Sequence, residues 1–275
     1  TQSLVRAAKI CHDRLVREGV DLAGYNSTQS AADIEDLRRV LGYEKWNLYG
    51  VSYSARLMLE VIRDHPEGVR SVALESVLSP EANYDEIGVD AAMRALRAVF
   101  SNCAVNAECA RTYPDLERIF YRVVERANRE PISFTVKLAD VEAPLTIKLN
   151  GNDITTWILD YLLSADAAAA AEAPLQIFRF DRGDYGALQR YAEELAGPDA
   201  FYSLGMRYSF WCSEEMPFEN RVKISAQSNK YAGLRGYSIQ PEMGGICDVW
   251  QVPSLGPRAN RAVRSSIPTL ILGAE

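Results

Sequence analysis

The sequence predicts an α/β protein, with a parallel sheet opened by a large and mainly helical insertion. Three observations predict it. Two apolar runs, Trp46 to Gly50 and Val69 to Val77, flank an amphipathic segment, Ala55 to Ile62. That strand–helix–strand order implies parallel strands joined by a right-handed crossover. After Pro80 the spacing of apolar residues turns helical for most of the chain, and a third core-type strand then appears at 267–272. The expected organisation is therefore a partial core over residues 1–80, a helical insertion over 81–255, and a return to the core over 256–275.

Each element follows from local signals. Residues 2–18 show apolar spacing at helical period and end at Gly19. Tyr25-Asn26-Ser27-Thr28 supplies capping residues for a second helix over 31–41, stopped by Gly42. Helix 55–62 is halted by His65-Pro66-Glu67-Gly68. Within the insertion, helices are expected over 91–100, 116–127, 154–163, 165–173 and 185–195. The alternating segments 132–137 and 145–148 read as a small hairpin.

Composition excludes several classes. A net charge of −7 without a Lys/Arg-dense block argues against nucleic acid or an anionic membrane as partner. No run of about 18 apolar residues is present to span a bilayer. Thr1 to Val5 has neither the basic region nor the apolar run of a signal peptide, and the natural N-terminus is expected upstream. The five cysteines, Cys11, Cys103, Cys109, Cys212 and Cys247, lack Cys-x-x-Cys spacing. With only His12 and His65 beside them, no metal site is expected, and no cofactor. Two readings of the cysteines stay open: five free thiols, or two disulfides and one leftover.

Gly50-Val51-Ser52-Tyr53-Ser54 carries the chemistry. It is a variant of G-x-S-x-G, in which a serine on a sharp strand-to-helix turn is pushed out above the sheet. The turn strains the backbone, so small neighbours are needed two residues to either side. The next backbone N–H, that of Tyr53, then sits at a helix N-terminus where it can donate to an oxyanion. The blander alternative is a serine that merely caps a helix.

Trp46 to Tyr53, preceded by Ala31 to Arg38, resembles the tripeptidyl-aminopeptidase and prolyl-aminopeptidase branch of the α/β-hydrolases. Cys103 and Cys109 ahead of Tyr113 to Glu117, Phe210 to Glu215, and Pro268 to Gly273 agree with that family in order. Ser54 departs from it, because the family usually has glycine there.

The resemblance implies a partial α/β-hydrolase sheet with an inserted helical cap, and an exopeptidase-type serine hydrolase acting through an acyl-enzyme. It implies Ser52 as nucleophile, Tyr53 N–H in the oxyanion hole, and Glu214 and Glu215 as carboxylates for the substrate's free amino group. A solvated acidic turn before Pro217 is the alternative for that pair. It also implies disulfides Cys103–Cys109 and Cys212–Cys247, with Cys11 pairing to an earlier cysteine. Such bridges place the protein outside the cytosol, extracellular or periplasmic.

A serine nucleophile needs a base and an orienting acid. His65 lies at the far end of the helix that Ser52 begins, roughly 20 Å away at about 1.5 Å per residue. His12 sits on the first helix and reads as a surface residue. The family's acid follows the strand at 268–273, its histidine follows later, and its second oxyanion donor precedes Thr1. The chain is therefore expected to be inactive alone and to need a complementary polypeptide supplying strands, Asp and His. A carboxylesterase on the same fold and a non-catalytic, degenerate or truncated chain are the competing readings.

Overall fold

The structure, a computed structural model, describes residues 2–137, 144–163, 167–196, 202–231 and 234–273. The chain forms two compact units: residues 1–87, 202–221 and 240–275 make one, and residues 88–201 and 222–239 the other. Residues 202–221 and 240–255, read from the sequence as part of the helical insertion, thus cluster with the strands.

The first unit opens with helix α1, Gln2–Arg17. Helix α2, Ser27–Val40, begins four residues earlier than the apolar spacing indicates, because Asn26 caps it by accepting from Gln29 N at 2.9 Å. Strand β1 is Trp46–Val51, helix α3 Tyr53–Asp64 and strand β2 Val69–Glu75. Strand β2 stops two residues short of the expected Val77, since Ser76 turns to φ 50°. Helix α4, Tyr84–Val105, starts in the first unit and runs into the second.

The second unit is mainly helical. Helices α5 (Ala107–Thr112) and α6 (Leu116–Arg129) precede strands β3 (Ile132–Val136) and β4 (Leu145–Leu149). The two strands pair antiparallel, Ile132 opposite Leu149, as the alternation predicts. Helices α7 (Gly151–Leu163), α8 (Ala167–Asp181) and α9 (Gly186–Ala196) follow. The alanine run lies on α8, which continues through Pro174, although residues 165 and 166 of that expected helix lie outside the described residues. Leu96, Phe120, Val124, Ile154, Ile158, Ile177 and Leu188 form the core of this unit.

Back in the first unit come helix α10, Leu204–Phe210, and a π turn, Trp211–Glu215. Helix α11, Arg221–Lys230, leads across the second unit; α12, Met243–Trp250, and strand β5, Thr269–Leu272, end the described chain. The sheet order is β1-β2-β5, all parallel, with Val51 opposite Glu75 and Glu75 opposite Leu272. The mixed α/β class with a parallel sheet is as the sequence predicts. Helices α2 and α3 cover one face through Ala31, Leu48, Ala55, Met58, Val61, Val72 and Leu74. Asn47, Tyr49 and Val51 on the other face are exposed, as is all of β5.

Candidate active site

Ser52 stands alone between β1 and α3, at φ 56° and ψ −123°. L-residues rarely adopt this conformation, and it costs on the order of 1–3 kcal/mol unless its surroundings enforce it. They do. Ser52 N donates to Glu75 O at 3.0 Å, tying the turn to β2, while Ser52 O accepts from Ala55 N at 3.0 Å as the helix begins. A Cβ on Gly50 would lie 2.5 Å from Ser54 O, so this position admits only glycine without a backbone shift. Ser54 folds its hydroxyl back on the turn: it accepts from Val51 N and donates to Val51 O, both at 2.8 Å.

The Ser52 side chain is exposed and makes no capping bond to α3. Tyr53, as the first helical residue, has a backbone N–H without an intrahelical acceptor. Its ring packs edge-on to Phe210 at 4.6 Å and its hydroxyl lies 3.1 Å from Ser27 Oγ. Burial pushes that phenol up to about 12, so it stays neutral.

Glu214 and Glu215 lie in the π turn and are each 2% exposed, which rules out a solvated acidic turn. Glu214 Oε1 accepts from Ser27 N at 2.6 Å, placing the carboxylate on the N-terminus of α2. Glu215 pairs with Arg56 of α3 and also accepts from Tyr84 N, at 3.3 Å, on the N-terminus of α4. Burial raises the pKa of both carboxyls, that of Glu215 to about 7. Glu214 also faces a cavity of about 210 Å³ bounded by Asn26, Glu60, Arg63 and Arg258; Ser52 and Glu215 do not line it.

Neither histidine of the sequence is built into the turn. His65 ends α3, its N–H donating to Val61 O at 2.8 Å. His12 Nδ1 lies 3.1 Å from Asp13 Oδ1, with its ring 5.7 Å from that of Trp250. Cys103 is bonded to Cys109 and Cys212 to Cys247, with Cα separations of 5.1 and 5.2 Å, and Cys11 is a free thiol. Among the described residues no three or more His, Cys, Asp and Glu groups could hold a metal ion, and no helix is long and apolar enough to cross a membrane.

Sequence reasoning missed Arg56. Its signal was available: a cation four residues from Glu60, on a stripe of α3 that buries Ala55, Met58 and Ile62, requires a buried anion opposite. It also missed an open groove of about 1040 Å³ in the second unit, beside the disulfide at Cys103 and walled by Arg97, Tyr113, Tyr121 and Arg122. Searches against protein-family models and against curated proteins return no match.

Proposed function

We propose that Ser52 is the nucleophile of an α/β-hydrolase that releases N-terminal amino acids or short peptides through an acyl-enzyme. The observation that carries this reading is the strained backbone of an exposed serine, held between a parallel strand and a helix N-terminus, with its hydroxyl free of the helix. In the proposed reaction Ser52 Oγ attacks the scissile carbonyl carbon and its proton passes to a base. The amine leaves with that proton, and water then cleaves the ester. Tyr53 N–H faces the developing oxyanion.

The base and its acid come, in this reading, from a complementary polypeptide that adds strands to the sheet. The outer edges of β1 and β5 support this, since neither has a strand partner among the described residues. Of the two glutamates, Glu214 is the better amine ligand, because Arg56 already neutralises Glu215. The two disulfides support a site of action outside the cytosol.

Turnover of an aminoacyl-naphthylamide and a nitrophenyl ester tests the reading. The chain alone is expected to turn over neither; activity of the chain alone, lost in Ser52→Ala, overturns the need for a second polypeptide. In the natively produced protein Ser52→Ala is expected to abolish turnover, and full activity in that variant overturns the nucleophile assignment. Equal cleavage of blocked and free N-termini would favour an esterase.

A further inference from the structure

Four glutamates of the first unit are buried: Glu35, Glu60, Glu214 and Glu215. Three of them pair with an arginine, Glu35 with Arg38, Glu60 with Arg63 and Glu215 with Arg56. Glu214 makes no ion pair among the described residues, and its carboxylate is held by Ser27 N at 2.6 Å. The positive end of α2 offsets at most about half a charge. A buried anion short of a counter-charge is costly, and Glu214 faces a cavity through which a cation can reach it.

The cavity limits what that cation can be. Arg63 and Arg258 on its wall already meet Glu60 and Asp64, so one ammonium group neutralises what is left over and a second positive charge is disfavoured. Its volume of about 210 Å³ holds roughly seven waters at about 30 Å³ each, close to the heavy-atom count of one small amino acid. Glu60, Glu214 and Ala259 are its buried floor, while Gln29 and Arg258 are exposed at its mouth. Among the described residues only Leu255 and Ala259 of its lining are apolar. A large apolar side chain would strip water from charged walls and gain little in return.

We propose that this cavity is the subsite for the first residue of the substrate, and that it selects peptides beginning with serine or threonine. The ammonium of that residue sits against Glu214. Its side chain is small enough for the space, carries no charge, and meets the hydroxyl of Thr28 and the carboxamide of Gln29, which line the same cavity. Leucine and phenylalanine are too large and too apolar, and lysine brings a second cation toward the two arginines.

Ser27 ties the cavity to the turn at Ser52. Its N–H donates to Glu214, and its hydroxyl lies 3.1 Å from that of Tyr53, the residue after Ser52. All of these residues belong to the first unit. The inference rests on Glu214 as the amine ligand, and not on Ser52 as the nucleophile.

Titration calorimetry on the natively produced protein, in its Ser52→Ala form so that no probe is turned over, tests it. Serinamide and threoninamide are expected to bind at least tenfold more tightly than leucinamide, phenylalaninamide and lysinamide. Glu214→Gln keeps an acceptor for Ser27 N and is expected to lose that binding. N-Acetylserinamide, which has no ammonium, is expected not to bind, and it makes the same point should the variant fail to fold. No binding of serinamide, leucinamide bound as tightly as serinamide, binding of the acetylated probe, or undiminished binding by folded Glu214→Gln overturns the inference. Selective binding by a protein whose wild type turns nothing over would reject the nucleophile and keep the subsite. Turnover indifferent to the first residue would do the reverse.

Discussion

Glu215 meets Arg56 in an ion pair whose two side chains are each 2% exposed, four residues along α3 from Ser52. The pair fastens helix α3 to the π turn, and the Arg56 guanidinium also lies 5.3 Å over the ring of Phe210. Desolvation of both charges is costly, so the pair fixes position more than it adds stability. Arg56→Ala leaves Glu215 buried without its cation and is expected to destabilise the first unit by about 3–5 kcal/mol, read from urea unfolding. A double change to Met and Leu is expected to recover most of that loss.

The turn at Ser52 is tested at its two flanking residues, Gly50 and Ser54. Gly50→Ala forces a Cβ against the Ser54 carbonyl and is expected to cost about 1–3 kcal/mol, with faster amide exchange at Ser52 and Tyr53. Ser54→Ala removes both bonds to Val51 and is expected to cost about 0.5–1.5 kcal/mol. A neutral Gly50→Ala would show that the turn is not held as tightly as its geometry requires.

The two disulfides close loops of very different length, with sequence separations of 35 for Cys212–Cys247 and 6 for Cys103–Cys109. On loop-closure entropy alone the longer contributes about 4 kcal/mol and the shorter about 2 kcal/mol. Replacing each pair by alanines in separate variants should lower the unfolding midpoint more for Cys212–Cys247.

In the second unit, Arg122 makes two bonds to Asp181, of 3.0 and 2.6 Å, joining α6 to α8. Hydrogen bonding from Arg122 holds the Asp181 carboxyl below its ordinary value of 3.8. A lowered carboxyl stabilises the fold above its unfolded pKa, and that contribution is lost as pH falls through the folded value. The stability gap between wild type and Asp181→Asn should therefore vanish in strong acid. Near neutrality it should be only a few tenths of a kcal/mol, since Arg122 is half exposed.

The β1–α3–β2 segment is legible in the sequence because its signals are local: two apolar runs, one amphipathic stretch, and Gly50 and Gly68 as breaks. The hairpin Ile132–Val136 with Leu145–Leu149 is legible for the same reason. Helices α10 and α12 are not. Short helices such as Leu204–Phe210 and Met243–Trp250 carry too few turns to establish a period, and they are held by Trp250 and the Cys212–Cys247 bridge rather than by propensity. Within the candidate site, the strand-to-helix turn at Ser52 and Tyr53 is legible from the motif Gly50 to Ser54. The partners of Glu214 and Glu215 could not be read, because Ser27 and Arg56 lie some 160 residues or more away in sequence.

Strand β5 joins β2 in register with Val72 to Glu75, yet it is synthesised almost 200 residues later. At about 5–20 residues per second, the ribosome leaves the β2 edge uncovered for roughly ten seconds or more after β1, α3 and β2 have emerged. The whole helical unit is made within that interval. An open parallel edge bearing Leu74 is then a template for any passing strand. Biogenesis of this protein accordingly depends on something to shield that edge until β5 has been made, and its folding yield should track chaperone supply more closely than its final stability.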